Sequence, residues 1–561
     1  MTEDNEAQFL LDNLHGSAKF ETLKVCQAAG LTEARGLYYG LFSPDGPDIR
    51  LAAPKSTLLC GNEGAGKKRD TVYEQVATCE FPVYVNDPSG RIAAVTICNQ
   101  SSLGKYAYCF MDEPGRLNRA PWFLIAESIN PLSELKPDTP LLAAKIDRIV
   151  ECMVEADSPS LAAFSQELIK LAGQWFGTII HGHILVRNQA TSLPEIYSQL
   201  MLASRNGPAW DRILETHFSN SPLPSFRRLA SEMRFYRSRQ PEKYLRILHV
   251  LLTVLDFLEH PETAQKLGGN ARPLSQILAT NFTFYNLSQH RVLQRLFFIA
   301  LLMAKQENQA TRPMAFIIDQ RAHLGKLEMA DGKYIKNQAA SSAIIELWDS
   351  LVQLKNGLGE TGMQLKLSRS QIQQFYDVDA YTAGFVSKSL GVTTVKYKSS
   401  RAKMQDDQFN ASIALALIEG KDPLGDIVRI NAQKDTYDFQ PRALRKPEEI
   451  EQMPLNRQII FTKGFQCAPI YGARKSYLSK VKLIGKYLPD PGHPPYNRIE
   501  VVMADNKQRT LPVRITTVPA PMRQFPQYAS GYKAEVVPPL TLHRVAEKSL
   551  RSLLRKSGFL T

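Results

Sequence analysis

The sequence predicts an α/β fold in which a parallel β-sheet is interrupted by an all-α insertion. Two short apolar segments, Ser56–Cys60 and Phe81–Val85, flank a glycine-rich stretch and a potential helix over Lys67–Ala77. Strand, glycine loop, helix and strand in this order are typical of a parallel sheet. Between Leu141 and Leu278, apolar residues instead recur at three- and four-residue spacing, which indicates helices.

The glycine-rich stretch fits the phosphate-loop pattern GxxxxGK. Glycines allow backbone amides to turn inward around phosphates, the following helix adds positive potential at its N-terminus, and the lysine reaches the β- and γ-phosphates. The eighth position, normally a Ser or Thr that binds Mg²⁺, is a lysine. A loop that keeps its shape but binds nucleotide weakly or not at all is the alternative. The candidate nucleotide-binding residues here are Gly61, Gly64, Gly66, Lys67 and Lys68.

A second candidate site follows the apolar segment Ala315–Asp319. Phosphate-loop enzymes need an Asp at the end of a buried strand to hold the metal, and many need an adjacent Glu as the base that activates water. Asp319 supplies the first group, whereas Gln320 follows it. An amide cannot take the proton, although it can orient a water molecule. Asp319 and Gln320 are the candidate catalytic residues, and a strand-end cap is the alternative role for Asp319.

Further elements are predicted between these motifs and the C-terminus. Gln289–Lys305 reads as an apolar helix and Ile344–Leu354 as an amphipathic helix, while Met363–Leu367 and Val392–Lys398 read as strands. After Pro441 the chain becomes richer in proline and in short β-like segments.

Composition limits the class of protein. The 561 residues include 68 basic and 55 acidic side chains, a net charge of +13, which favours an anionic partner such as nucleic acid or a lipid surface. A basic surface without such a partner is the alternative. The seven dispersed cysteines form no CxxC pair and predict reduced thiols, with no metal site. The polar N-terminus and the interrupted apolar segments predict a cytoplasmic chain with no signal peptide and no transmembrane helix.

Several segments occur together in a fixed order. They are Gly16–Phe20 with Ala29–Leu31 and Gly36–Gly40, Asn86–Arg91 with Ala93–Thr96, Asn130–Leu132, Asp319–Gln320 with Leu324–Leu327, and Pro447–Gly464 with Pro469–Ile470. In this order the sequence resembles the TraG/VirD-type coupling proteins of type IV secretion and conjugation, whose D-P-K-G-E, N-P-L, D-E-F-x-x-L-G and P-E-E-I…Q-L-V-F segments lie at corresponding places.

The resemblance implies a RecA-like P-loop NTPase sheet with the all-α domain inserted into it. It also implies ATP and Mg²⁺ as cofactors, homo- or mixed hexamers, contact with secretion-channel components at the inner membrane, and a relaxase–DNA complex or protein cargo. It adds Asp87 to the candidate nucleotide-binding residues. The expected divisions are an N-terminal segment (1–50), a nucleotide-binding domain in two parts (51–140 and 286–440), the all-α insertion (141–285) and a small C-terminal extension with β-structure (441–561).

The sequence departs from the family pattern at several functional positions. Lys68 replaces the metal-binding hydroxyl, Gln320 replaces the base, and Arg91 replaces the Glu of D-P-K-G-E. Leu367 stands where a strand-end glutamine is expected to sense the γ-phosphate. Family members begin with transmembrane helices, which we do not expect here. These departures predict weak or absent hydrolysis and leave the binding of ATP and Mg²⁺ open.

Three basic segments are candidate contact surfaces. Lys396, Lys398, Arg401 and Lys403 follow a predicted strand and would contact DNA in the pore of a ring; a solvated loop is the alternative. Arg234 and Arg237, beside aromatic residues, would bind DNA or acidic cargo, although an ordinary helix surface looks the same. The basic amphipathic helix His543–Lys556 would lie on an anionic membrane or pack on its own domain.

Two functions fit these observations. The chain is either a motor that drives DNA or protein into a secretion channel, with missing groups supplied by a neighbouring subunit, or a non-catalytic adaptor that recruits cargo or completes a ring beside a competent ATPase. A DNA-binding scaffold outside secretion is a third possibility. All three require the phosphate loop and Asp319 to meet across one sheet.

Overall fold

A computed structural model describes residues 13–537 apart from 54, 114–116, 118, 156–157, 308–311, 328–341, 398–410, 412, 416–417, 420–437 and 504–506. The described strands are β1 (Leu37–Leu41), β2 (Asp48–Leu51), β3 (Thr57–Cys60), β4 (Val83–Asn86), β5 (Tyr106–Phe110), β6 (Ile129–Asn130), β7 (Arg272–Pro273), β8 (Phe282–Asn286), β9 (Met314–Ile318), β10 (Ser342–Trp348), β11 (Ile372–Phe375), β12 (Val392–Tyr397), β13 (Asp438–Ala443), β14 (Arg457–Thr462), β15 (Ile470–Ala473), β16 (Arg498–Val502), β17 (Gln508–Thr517) and β18 (Tyr532–Val536).

The α-helices with described bounds cover both faces of the sheet and form the region between β6 and β8. They are α1 (Leu23–Ala28), α2 (Tyr73–Thr78), α3 (Arg91–Thr96), α4 (Leu142–Met153), α5 (Gln166–Arg187), α6 (Leu193–Arg205), α7 (Gly207–Ile213), α8 (Pro224–Arg239), α9 (Pro241–Val254), α10 (Pro261–Lys266), α11 (Leu274–Leu278), α12 (Arg291–Glu307), α13 (Leu351–Arg369), α14 (Ala380–Leu390) and α15 (Pro447–Glu451).

Eleven of the described strands form one sheet in the order β2-β1-β15-β14-β11-β3-β10-β9-β4-β8-β5. The seven strands from β11 to β5 are parallel to one another. On the other side of β11, strands β14, β15, β1 and β2 continue the sheet in antiparallel pairs. Segments near both ends of the chain therefore complete the sheet that carries the phosphate loop.

Alternation along the strands divides the core between the two faces of the sheet. Val85 and Ile317 pack in one buried cluster with Ile92 of α3. Their neighbours Tyr84 and Phe316 point to the opposite face and pack in a second cluster that includes residues of α12. Strands with apolar side chains on both faces are expected in a parallel sheet covered by helices on each side.

The region between β6 and β8 is helical, as the sequence predicted. Local signals begin several of its helices: Ser165 accepts a hydrogen bond from Leu168 N at the start of α5, and Ser192 forms a capping box with Glu195 at the start of α6. The helices share one apolar cluster with α12. This packing attaches the helical region to one face of the sheet.

Two predicted elements are wrong, and both lie after β9. The predicted helix Ile344–Leu354 begins as strand β10, and the predicted strand Met363–Leu367 lies inside α13. A short apolar run fits a buried strand and a helix segment equally well, because periodicity cannot separate them at that length. The other predicted strands near the phosphate loop are confirmed as β3, β4 and β9, and Val392–Lys398 is confirmed as β12 up to Tyr397.

Lys105 is buried immediately before β5. The residue is 2% exposed, and its Nζ donates a 3.4 Å hydrogen bond to the Cys79 carbonyl. Burial lowers the pKa of Lys105 to about 8, because removing the ammonium from water disfavours its charged form. The folded protein therefore pays a desolvation cost at neutral pH.

We expect Lys105→Met to raise the free energy of unfolding by about 2–3 kcal/mol at pH 7. The unfolded chain keeps the proton to about pH 10, so the wild-type protein should become more stable as the pH rises from 8 to 10, and the variant should lack that part of the rise. Urea unfolding at several pH values measures both effects. The exposed Lys136→Met is the control, and equal behaviour of the two variants would contradict the prediction.

Candidate nucleotide site

A cavity of about 630 Å³ opens at the carboxyl ends of the parallel strands. The phosphate loop follows β3, Asp319 follows β9, and Asp349 follows β10, so the three strand ends meet at one edge of the sheet. This edge is where ligands bind in open α/β sheets. Lys67, Lys68 and Asp319 line the same cavity, which confirms that the two predicted motifs meet in space.

The glycines of the phosphate loop are required by its geometry. Gly64 and Gly66 have φ angles of 79° and 90°, in the left-handed region that favours glycine. A Cβ atom on Gly61 would lie 2.8 Å from Cβ of Tyr376. The loop therefore keeps the compact shape of a phosphate cradle.

Lys67 is folded back onto the loop and towards β10. Its Nζ donates to the carbonyl oxygens of Gly61 and Asn62 and lies 2.7 Å from Asp349 Oδ1. Asp349 is in turn contacted by Gln353, whose Nε2 donates to Oδ2 at 3.2 Å. The lysine that would reach a phosphate thus has a carboxylate partner in the structure.

Lys68 connects the loop to the acidic end of β9. Its Nζ lies 2.9 Å from Asp319 Oδ2, and the Asp319 side chain is only 5% exposed. Lys68 also begins a short π-helical turn, Lys68–Val72, that leads into α2. The two residues predicted from separate motifs therefore form an ion pair across the cavity.

The residues around Asp319 do not fit a Mg²⁺ ion. Mg²⁺ prefers oxygen ligands, yet an ammonium group occupies the hydroxyl position and already contacts Asp319. Of the described residues that line the cavity, none is a serine or threonine.

Gln320 lines the cavity next to Asp319. It is exposed and has a left-handed backbone, with φ 52°. A side-chain amide has no basic site at neutral pH, so Gln320 can orient a water molecule but cannot accept its proton. The position next to Asp319 therefore lacks a general base.

Asp87 is buried beside the cavity but does not line it. Its Oδ2 accepts a hydrogen bond from Ala93 N in α3, and its Oδ1 accepts one from Ser89 Oγ. Burial raises the pKa of Asp87 to about 6, and the nearby Asp319 carboxylate contributes to that increase. Its visible contacts position the turn before α3, and a nucleotide-binding role for Asp87 remains a prediction.

The C-terminal region adds a wall to the cavity that no sequence motif indicates. Arg91 Nε and Nη2 lie 2.8 and 2.6 Å from the two carboxylate oxygens of Asp490, and Tyr73 OH donates to the same group. His493 lies 3.3 Å from Arg91. Burial alone would raise the pKa of Asp490, but hydrogen bonds from Arg91 and Gly492 N outweigh it and lower the pKa.

Leu367 is not at the end of a strand. It is buried in α13, and the strand between the phosphate-loop strand and β9 is β10, which ends at Trp348. Asp349 therefore occupies the strand-end position that the sequence pattern assigned to Leu367. The sequence does carry a signal for this strand end. The apolar run SAIIELW is followed by Asp349 and by Ser350, and Ser350 caps the next helix by accepting a hydrogen bond from Gln353 N, so the strand must end before it.

The structure gives mixed information on the basic candidates. Lys396 lies on β12 with Nζ 5.8 Å from the ring centre of Phe439. The other members of that basic segment, Lys398, Arg401 and Lys403, fall outside the described residues, as does the predicted helix His543–Lys556.

The two arginines of the helical region have acidic neighbours. Arg237 contacts Asp211 and donates to Gly207 O, and Arg234 lies 3.9 Å from Glu215. A DNA-binding role for these residues stays a prediction.

None of the described helices combines the length and the apolar character that crossing a bilayer requires.

Comparisons with known proteins agree with the fold. A family model described as "Type IV secretory system Conjugative DNA transfer" matches residues 126–511, more than half of the chain. No match is found among curated proteins.

Three solved structures share the fold. The bacterial conjugative coupling protein TrwBΔN70 in an unbound form has a TM-score of 0.53 and 14% identity, covering 81% of this chain and 93% of that chain. Two further structures are of the plasmid coupling protein TrwB, one in complex with the GTP analogue GDPNP and one in complex with ADP and Mg²⁺. Each has a TM-score of 0.53 and 14% identity, covering 82% of this chain and 95% of that chain.

These matches confirm the predicted RecA-like sheet with its helical insertion and the resemblance to coupling proteins. The chain belongs to the type IV secretory system conjugative DNA transfer family.

Proposed function

We propose that this chain is a coupling-protein-like component of a type IV secretion or conjugation system that binds a nucleotide in the cavity and hydrolyses it weakly or not at all. Its family membership supports a role in DNA transfer. The observation that carries the nucleotide role is that Lys67, Lys68 and Asp319 line one cavity at the strand ends. TrwB, which shares the fold, has been solved with nucleotide bound.

Weak hydrolysis follows from the chemistry beside Asp319. Gln320 cannot remove a proton from water, and loss of a general base costs about 10²–10⁴-fold in rate. The Lys68–Asp319 ion pair also occupies the carboxylate that would otherwise hold a metal ion. Nucleotide binding would therefore serve mainly to stabilise one conformation or one assembly of the chain.

In this role the chain recruits or translocates relaxase-bound DNA or a protein substrate at the cytoplasmic side of the inner membrane. The net charge of +13 supports an anionic partner such as DNA. A homo- or mixed hexamer and contact with secretion-channel components belong to the same proposal. The second candidate, an adaptor that completes a ring beside a competent ATPase, is favoured by the Lys68–Asp319 pair, because a competent neighbour would supply the missing chemistry.

The test is nucleotide binding and phosphate release by the purified chain, with and without single-stranded DNA. We expect measurable ATP binding, phosphate release close to background, and an affinity about 10–100-fold lower in Lys67→Ala, because a charge-assisted contact to phosphate is lost.

The exposed Lys388→Ala on α14 is the control and should bind ATP as the wild type does. Rapid turnover that DNA stimulates and Lys67→Ala abolishes would contradict weak hydrolysis. Equal ATP affinity of the wild type and Lys67→Ala would contradict binding in this cavity.

A further inference from the structure

Lys68 replaces one of the two side chains that hold a divalent cation in other phosphate-loop proteins, and it contacts the other one. In those proteins a Ser or Thr hydroxyl at the end of the loop and an Asp at a strand end hold Mg²⁺ between them. Here Lys68 occupies the hydroxyl position, and its Nζ lies 2.9 Å from Asp319 Oδ2. A positive charge that belongs to the protein thus stands where an added cation would be needed.

Burial distinguishes this ion pair from the other one in the loop. The carboxylates differ most: the side chain of Asp319 is 5% exposed and that of Asp349 is 52% exposed, while their partners Lys68 and Lys67 are 25% and 10% exposed. A carboxylate that is left without its partner costs little where water solvates it, as at Asp349, and costs much more where it is buried, as at Asp319. An incoming phosphate should therefore draw Lys67 away from Asp349 while Lys68 keeps its contact with Asp319.

The charges of the cavity are balanced before any ligand arrives. Its lining contains the cations Lys67, Lys68, Arg69 and Arg91, and each of them contacts a carboxylate in the structure. A metal ion added beside Lys68 would meet like charge and would compete for a carboxylate that is already engaged. A polyanion needs no metal here, because Lys67 can turn towards it while Lys68 offers the donors that Asp319 leaves unused.

We propose that the cavity binds a nucleoside polyphosphate free of divalent cation, with the Lys68 ammonium joining Asp319 to the terminal phosphates in place of the metal ion. This inference rests on the proposed nucleotide-binding role of the cavity. An ammonium group carries three donors, so Lys68 can contact Asp319 and phosphate oxygens at the same time. Lys67 supplies the second cation by exchanging Asp349 for phosphate.

The test is calorimetric titration of the full chain with ATP, once in EDTA and once in excess MgCl₂. The wild-type protein should bind ATP in EDTA at least as tightly as in Mg²⁺, because metal-bound ATP carries less negative charge and brings a cation towards Lys68. Binding that requires Mg²⁺, or that Mg²⁺ strengthens about 10-fold or more, would overturn the inference while leaving the nucleotide role intact.

Two variants at the same position separate charge from shape. In Lys68→Ser a hydroxyl is restored and Asp319 is released, so we expect affinity in EDTA to fall about 10-fold or more and Mg²⁺ now to strengthen binding. Lys68→Arg keeps the positive charge and should remain independent of Mg²⁺. Circular dichroism checks that both variants are folded.

The possible failures are distinct. If Lys68→Ser binds ATP as the wild type does in both buffers, Lys68 does not replace the cation. If the wild-type protein binds no ATP in either buffer, the nucleotide role itself is wrong. The comparison of the two buffers uses the wild-type chain alone, so it decides the inference even if a variant does not fold.

Discussion

Replacing Glu74 with Gln should lower the free energy of unfolding by about 3–5 kcal/mol, because it removes a buried carboxylate shared by several cations. Glu74 lies on α2, the helix that follows the phosphate loop, and is 1% exposed. Its Oε1 contacts Arg50 and lies 3.3 Å from Lys482, and its Oε2 contacts Lys480. The three cations come from β2 and from the C-terminal region, so Glu74 joins three distant parts of the chain.

The surroundings of Glu74 explain the size of the expected loss. The remaining carboxylate of the cluster is Asp48, which lies 3.0 Å from Arg50 and 3.4 Å from Lys480. Burial works against its ionisation, but Lys480, Lys482 and Arg50 outweigh that effect and lower the pKa of Asp48 to about 2. After Glu74→Gln, three cations would share this one carboxylate, and burial already lowers the pKa of Lys480.

Urea unfolding at pH 7 measures the effect of Glu74→Gln. The matched control is Glu360→Gln on α13, where the carboxylate is 53% exposed and pairs with Lys355, itself 45% exposed, at 2.7 Å. An exposed pair of this kind contributes little to stability, because water and salt screen it. A loss in Glu74→Gln no larger than that in Glu360→Gln would show that the buried cluster does not stabilise the fold.

The phosphate loop and Asp319 could be predicted because their signals are local. Gly64 and Gly66 are needed where the backbone adopts positive φ, and Asp319 ends an apolar run that fits a buried strand. Placing both at one cavity required only that parallel strands end at the same edge of a sheet.

Asp349 and Asp490 could not be predicted in the same way. Asp349 follows a run whose periodicity does not separate a strand from a helix, so the sequence pattern predicts Leu367 at the strand end instead. Asp490 pairs with Arg91 across 399 positions in the chain. No local pattern connects residues so far apart, because their contact depends on the C-terminal region closing over one wall of the cavity.

The charge of Lys68 was evident from the sequence, but its partner was not. The sequence predicts separate roles for the two residues: Lys68 is a poor replacement for the metal-binding hydroxyl, and Asp319 is a suitable metal-binding carboxylate. The structure shows instead that they contact each other. The departure at Lys68 thus alters the role of Asp319 as well, which two separate motifs cannot reveal.

Arg295→Met should also lower the free energy of unfolding by about 3–5 kcal/mol, because Arg295 donates to carbonyl groups from two regions of the chain and pairs with a nearly buried carboxylate. Arg295 lies on α12 and is 3% exposed. Its Nε donates to Cys152 O at 2.6 Å, and its Nη1 donates to Lys326 O at 3.0 Å and to Leu324 O. Its Nη1 also lies 2.9 Å from Glu155 Oε2.

The position of Arg295 gives this prediction a second readout at the nucleotide site. Cys152 and Glu155 lie at the end of α4 in the helical region, whereas Leu324 and Lys326 follow Asp319 in the chain. Without Arg295, the segment after Asp319 loses donors that attach it to α12 and to the helical region. We therefore expect weaker ATP binding by the folded variant as well as easier unfolding.

Both effects of Arg295→Met can be measured against Arg228→Met on α8. Arg228 is 74% exposed and makes an i,i+4 pair with Glu232 at 2.8 Å, so its loss should change stability little and leave ATP binding unchanged. If Arg295→Met is destabilised but binds ATP with wild-type affinity, Arg295 stabilises the fold without positioning Asp319. If the contacts of Arg295 hold the helical region to the sheet, removing its buried guanidinium must be strongly destabilising. An Arg295→Met variant that is as stable as Arg228→Met would therefore contradict this role.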